Sequence, residues 1–129
     1  SLTIAFMTLA GAQSMHGAGE PSAWVMRHAS MVRPGGTVLD VACGLGRHAR
    51  YFAARGCRVE AVDRDGDALT RLCDVEGVHT THADIESGPW PYVGHTFDAV
   101  VVTNYLHRPL LPLLLKEKEQ EEQVLQQIR

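Results

Sequence analysis

Between Val38 and Ala42 the chain is apolar at every position but Asp40, and a helical pattern opens a few residues later, at Arg47. Such a run, broken only by Asp40 and followed by glycines, predicts a first strand over Thr37 to Ala42, covered on both faces. Arg47 to Arg55 places Ala49, Phe52 and Ala53 on one side of a helix, with Gly56 as its stop. Arg58 to Val62 predicts a second strand ending at Asp63, and Asp67 to Asp74 a short helix. Val78 to Ala83 predicts a third strand ending at Asp84, and Phe97 to Thr103 a fourth, the richest in β-branched residues. Upstream, Ala23, Trp24, Met26, Ala29, Met31 and Val32 recur largely at helical spacing, with Ser22 a candidate cap and Pro34-Gly35-Gly36 ending the helix. Helix and strand alternate, except that the loop Glu86 to Thr96 joins the last two strands. The order predicts an α/β fold with a parallel sheet and right-handed crossovers.

The two ends differ from this body. Residues 1–19 show no clear periodicity and read as a flexible N-terminal segment, followed by a body over 20–115. Leu110 to Leu115 is almost all Leu, broken by Pro112, and 116–129 reads as a charged tail, helical or disordered.

Composition narrows the classes. With 129 residues the chain can bury a core, and a net charge of −3 gives no electrostatic case for nucleic acid or an anionic membrane. No apolar run is long enough to span a bilayer. Leu2 to Ala12 lacks a basic flank, so it reads as leader or artificially appended sequence rather than a signal peptide, and Met7 is a candidate natural start. Cys43, Cys57 and Cys73 form no C-x-x-C pair and favour free thiols in a reducing compartment, the cytoplasm.

The candidate chemistry sits where the first strand meets its helix. Gly44-Leu45-Gly46-Arg47-His48-Ala49 satisfies G-x-G-x-x-A, with Asp63 about 20 residues on. Glycines there let the chain turn sharply and let a ligand approach the backbone, while the helix N-terminus points N–H groups at the same spot. The pattern alone suits a dinucleotide. Asp40 discriminates, because a carboxylate beside the turn repels a pyrophosphate and attracts an ammonium or sulfonium. S-adenosylmethionine carries both cations. Asp63 can take two ribose hydroxyls, Asp84 an adenine amine, and Ile85 can cover the ring.

Asp40-Val41-Ala42-Cys43-Gly44-Leu45-Gly46, Val62-Asp63, Ala83-Asp84-Ile85 and Phe97 to Val102 together resemble, in order and spacing, class I S-adenosylmethionine-dependent methyltransferases. Within that family, Cys43 to His48 and Thr103 to Arg108 are most similar to small bacterial members of the tellurite-resistance type. The resemblance implies a Rossmann-like sheet with strand order 3-2-1-4. It also implies methyl transfer to an acceptor, expected to be a small molecule, with S-adenosylhomocysteine as product. The implied cofactor contacts are Asp40, Ala42, Gly44, Gly46, Asp63, Arg64, Asp84, Ile85 and Asn104; Tyr105 and His107 are acceptor candidates. No catalytic residue is assigned and no metal is expected. The family has seven strands and this pattern supplies about four, so the sheet reads as incomplete. A bare outer edge on the fourth strand would invite self-association. Two other classes stay open: a non-catalytic binding or interaction fragment, and an NAD(P)-dependent oxidoreductase, against which Asp40 and the missing third glycine argue.

Each feature also has a plainer reading. Asp63 can cap the following helix, Asp84 can be a turn residue, and Arg47 either meets the ligand carboxylate or is solvated. His79 and His82 fall on opposite faces of a strand, which disfavours a shared metal. Cys43 reads as a small residue fitting close packing, Trp90 as loop packing, and His107 as a surface or capping histidine.

Overall fold

The computed structural model describes residues 21, 23–41, 43–85 and 87–102, together with the strand paths of 3–8 and 122–127. The elements run β1 (Thr3–Thr8), α1 (Ala23–His28), a 3-10 turn (Ala29–Met31), β2 (Thr37–Val41), α2 (Arg47–Ala54), β3 (Arg58–Asp63), α3 (Gly66–Thr70), β4 (Val78–His82), β5 (Ala99–Val102) and β6 (Glu122–Gln127). Among the described residues every pairing is parallel, and the sheet order is β4-β3-β2-β5-β1-β6. The four expected strands therefore stand in the expected order, 3-2-1-4, as one Rossmann-like sheet.

Two strands were not expected. Residues 1–19 were read as flexible and 116–129 as helical or disordered, yet each segment contains a strand. β1 lies along β5, with Ile4 opposite Ala99 and Met7 opposite Val102, and β6 lies along β1. The reason is backbone chemistry. β5 is buried on both faces, and without a neighbour its outer N–H and C=O groups would stand unpaired. Ladder hydrogen bonds need no particular side chain, so even the polar Glu122–Gln127 stretch can extend the sheet. The outer edge on which self-association was argued is taken by β1.

The sheet separates two apolar layers. On one side Val38, Val59, Ala61, Ala99 and Val101 pack against Val25, Ala29, Ala49, Phe52, Leu69 and Leu72, from the three helices, the 3-10 turn and the turn after α3. On the other, Leu39, Val41, Val62, Val100 and Val102 meet Tyr92, with Ala83, Ile85, Trp90 and Phe97 around it. This double cover explains why β2 is apolar at Val38, Leu39 and Val41 and β5 at every position.

Local differences from the sequence pattern have local causes. The helix predicted through Val32 tightens to 3-10 at Ala29 and closes with the Val32 N–H donating to Ala29 O. The helix predicted over Asp67 to Asp74 ends at Thr70, and turns carry the chain to Gly77. At the start of β2, the Thr37 N–H donates to Asp98 Oδ2 at 2.8 Å and the Asp98 N–H to Thr37 O at 2.8 Å, clasping β2 to the approach to β5. Gly36 is needed beside this clasp, because a Cβ there would lie 2.9 Å from Arg33 O. Ser22 lies outside the described residues.

Candidate cofactor site

The C-terminal ends of β2 and β3 build the site together. As the chain leaves β2, the Cys43 N–H donates to Val62 O at 3.1 Å, and the Gly46 N–H closes the turn onto Cys43 O at 2.9 Å. Gly44 and Gly46 have φ of 57° and 82°, left-handed values that strain any residue with a Cβ. Gly46 meets a second demand: a Cβ there would sit 2.5 Å from a Leu72 methyl. The Arg50 N–H then bonds Gly46 O at 2.8 Å and starts α2.

Asp63, 8 % exposed at the end of β3, holds this turn. Its Oδ2 accepts the Gly44 N–H at 2.7 Å and its Oδ1 the Asp65 N–H at 2.8 Å. Each oxygen keeps a lone pair for a further donor. The capping role that the sequence also allows Asp63 belongs to Asp65, whose side chain accepts from the Asp67 and Ala68 N–H groups at the start of α3.

Asp40 is 2 % exposed, and its Oδ2 has no hydrogen-bond partner among the described residues. Burial pushes its pKa up to about 7, and the neighbouring Asp63 charge adds to the rise, while the Ala49 backbone N–H and the Arg47 cation oppose it. His48, also 2 % exposed, is driven the other way: burial and the adjacent Arg47 lower its pKa to about 3, so it stays neutral. Cys43 is buried, and its thiol is pushed up by burial and by the Asp40 and Asp63 charges, which leaves it inert as a nucleophile.

The third edge of the site is the turn after β4. The Ala83 N–H donates to Asp63 O at 3.1 Å, which ties this turn to β3. Asp84 is exposed, and Ile85 is partly buried against the second apolar layer. Arg64 is exposed, and its carbonyl accepts from His82 Nε2 at 2.8 Å. His79 Nδ1 instead meets Glu60 Oε2 at 2.7 Å, so the two histidines serve different partners. Among the predicted site residues the structure gathers Asp40, Gly44, Gly46 and Asp63, and links Asp84 and Ile85 to them through Ala83. Ala42, Asn104, Tyr105 and His107 lie outside the described residues. Trp90 packs within the loop, its ring 5.4 Å from that of Tyr92.

Sequence reasoning passed over Glu60 and Tyr92. The only signal was a carboxylate in an otherwise apolar stretch of strand, and its partner lies 32 residues on. A cavity of about 340 Å³ lined by Thr37, Arg58, Glu60, His79 and Phe97 opens toward the starts of β2 and β3, the end opposite the glycine turn.

A parallel sheet with a glycine turn, a strand-end carboxylate and a buried acidic group at the switch between β2 and β5 has the arrangement of a Rossmann-like fold, in which ligands sit at such a switch. The family model for the methyltransferase domain matches residues 38–128, and the chain belongs to that family. Its fold is that of the TehB-like S-adenosylmethionine-dependent methyltransferase of Corynebacterium glutamicum (TM-score 0.54, 20% identity, 74% of this chain, 47% of that one). It is similarly close to coclaurine N-methyltransferase, solved with N-methylheliamine and S-adenosylhomocysteine (TM-score 0.61, 22% identity, 81% and 34%). Curated relatives include ribosomal RNA small subunit methyltransferase J of Erwinia tasmaniensis, 43% identical over 53 residues, 41% of this chain and 20% of that protein. Ribosomal RNA small subunit methyltransferase H of Nostoc punctiforme is 39% identical over 80 residues, 54% of this chain and 25% of that protein. The chain thus spans a fifth to a quarter of the length of these curated relatives. No helix among the described residues is long and apolar enough to cross a membrane.

Proposed function

We propose that this chain is the cofactor-binding part of an S-adenosylmethionine-dependent methyltransferase. The observation that carries the reading is the Asp40 carboxylate, buried beside the glycine turn with one oxygen unpartnered among the described residues. A buried acceptor of this kind is costly unless a donor arrives, and the ammonium of a methionine moiety fits it in charge and in hydrogen bonding. A pyrophosphate does not, which keeps the oxidoreductase reading behind. When bound, the cofactor supplies an electrophilic methyl on a sulfonium.

The chain's residues bind and orient. Gly44 and Gly46 let the ligand lie against the backbone, and Asp63 offers its remaining lone pairs to ribose hydroxyls. Asp84 accepts from the adenine amine, and Ile85 packs on the ring. Ala42, Arg64 and Asn104 complete the proposed contacts. Tyr105 and His107, which follow β5 in the sequence, are the proposed acceptor contacts. Such alignment contributes to displacement at a methyl group without a dedicated catalytic residue. The three thiols, free among the described residues, accord with a reducing compartment.

The proposed acceptor is a small molecule. The relatives named for ribosomal RNA support a second reading, an RNA acceptor. Their similarity spans only about half of this chain or less, and a net charge of −3 makes no electrostatic case for nucleic acid.

Calorimetric titration with S-adenosylhomocysteine tests the cofactor reading, with Asp40→Asn and Asp63→Ala in parallel and NADH as control. Binding by the wild type, loss in both variants and silence with NADH is the expected result. A folded wild type that binds NADH instead overturns it. Methyl transfer from labelled cofactor to small amines, thiols and phenols, or to purified ribosomal subunits, then decides the acceptor class. Binding without turnover favours a non-catalytic fragment.

A further inference from the structure

The second apolar layer contains one polar knot. Glu60 projects from β3 on the side away from α2 and α3, and its carboxylate gathers three donors. The Thr81 hydroxyl and the Tyr92 phenol both donate to Oε1, the latter at 3.0 Å, and His79 Nδ1 meets Oε2 at 2.7 Å. Tyr92 is 5 % exposed, and its ring lies edge-on to those of Trp90, His95 and Phe97 at 5.4–5.8 Å. Apolar packing alone would hold a phenylalanine at that position. A buried phenol bonded to a carboxylate fixes a direction as well.

That direction matters for the turn between β4 and Tyr92. The turn is closed by the Gly88 N–H on Asp84 O at 2.8 Å, and a Cβ on Gly88 would meet the same oxygen at 2.9 Å. Its first end is tied to β3 where the Ala83 N–H meets Asp63 O. Its far end returns through Trp90 to Tyr92, and so to Glu60, again on β3. The segment that presents Asp84 and Ile85 is thus tied at both ends to the strand that carries Asp63.

We infer that Glu60 and Tyr92 are positioning residues, which hold the Asp84–Ile85 turn at the distance from Asp63 that an adenosine requires. The inference rests on the cofactor reading above and names the elements that set its specificity for the base. Neither residue touches the ligand; both act through the loop. Removing the phenol oxygen leaves ring packing in place and frees the loop to drift from Asp63, so recognition of the adenine amine weakens while the ribose and methionine contacts persist.

The test compares S-adenosylhomocysteine with S-inosylhomocysteine, in which a carbonyl replaces the adenine amine, by calorimetry on the whole chain. The variants are Tyr92→Phe, Glu60→Met and the conservative Glu60→Gln, each checked for a cooperative thermal transition. The wild type prefers S-adenosylhomocysteine by about tenfold or more, the scale of one hydrogen bond to a charged acceptor. Tyr92→Phe and Glu60→Met lose most of that preference, S-inosylhomocysteine, which keeps only the Ile85 ring contact on this turn, weakening less than S-adenosylhomocysteine, and Glu60→Gln, which still accepts from Tyr92, retains the preference. Preference intact in Tyr92→Phe, or both ligands weakened equally, overturns the positioning role and leaves the cofactor site standing. A folded wild type that binds neither ligand overturns the cofactor reading and this inference with it. Should Glu60→Met lack a folding transition, Tyr92→Phe against Glu60→Gln decides.

Discussion

The Gly44 N–H donates to Asp63 Oδ2 at 2.7 Å, so the end of β3 holds the turn that leaves β2. The same carboxylate takes the Asp65 N–H through its other oxygen. Asp63→Ala leaves two backbone donors without their acceptor. Hydrogen bonds to charged groups contribute about 1.5–3 kcal/mol each, so a loss of about 3 kcal/mol in urea denaturation is expected. Asp63→Asn, which keeps one carbonyl oxygen, falls between. Cofactor affinity drops in both.

Asp40 weakens the fold that it serves. Its pKa rises from 3.8 in the unfolded chain to about 7 in the folded one. The folded state therefore holds a proton that the unfolded state releases, and stability falls as pH rises from about 4 to 7. The loss is on the order of 4 kcal/mol above pH 7, at 1.36 kcal/mol per unit. Asp40→Asn removes this slope. Urea denaturation at pH 5 and pH 8 should show the variant more stable than the wild type at pH 8, and a titration should show it poorer at binding S-adenosylhomocysteine.

His48 carries the opposite slope. Its pKa falls from 6.5 to about 3 on folding, so the unfolded chain takes up the proton first and stability is lost as pH drops from about 6.5 towards 3. Between pH 4 and 6.5 the two groups oppose each other. His48→Gln should expose the Asp40 slope, and Asp40→Asn the His48 slope, in denaturation midpoints taken across that window.

Cofactor affinity itself should follow pH. An ammonium beside Asp40 favours its ionised form, so binding is coupled to release of a proton wherever Asp40 is protonated. Affinity for S-adenosylhomocysteine should rise about tenfold per unit up to pH 7 and then level. Asp40→Asn should flatten the profile, measured by calorimetry in buffers of differing ionisation enthalpy.

Gly46→Ala meets two obstacles, a φ of 82° and a Leu72 methyl at 2.5 Å from the new Cβ. Backbone strain and overpacking together cost about 2–4 kcal/mol. Leu72→Ala in the same chain removes only the steric part, so the double variant should lose less than the sum of the two singles. Gly35→Ala, with a φ of 76° and open space around the Cβ, reports the backbone part alone.

The central four strands, their order and the glycine turn were legible in the sequence because each depends on local rules. Apolar runs of β2 and β5 declare burial on both faces, and Gly44 and Gly46 declare a turn that needs left-handed backbone. Asp40 was legible as a charge out of place in an apolar strand, and Asp63 as a carboxylate at a strand end. Sequence alone left open whether Asp63 capped a helix or faced a ligand; the tertiary structure assigned the cap to Asp65 and set Asp63 on Gly44. It also decided the outer neighbour of β5, which is β1, and the neighbour of β1, which is β6. Such backbone pairing depends on which unpaired edge a segment meets, and residue type specifies that weakly. The Glu60–Tyr92 bond was hidden for a related reason: two polar groups 32 residues apart carry no mark of each other until the chain folds one over the other.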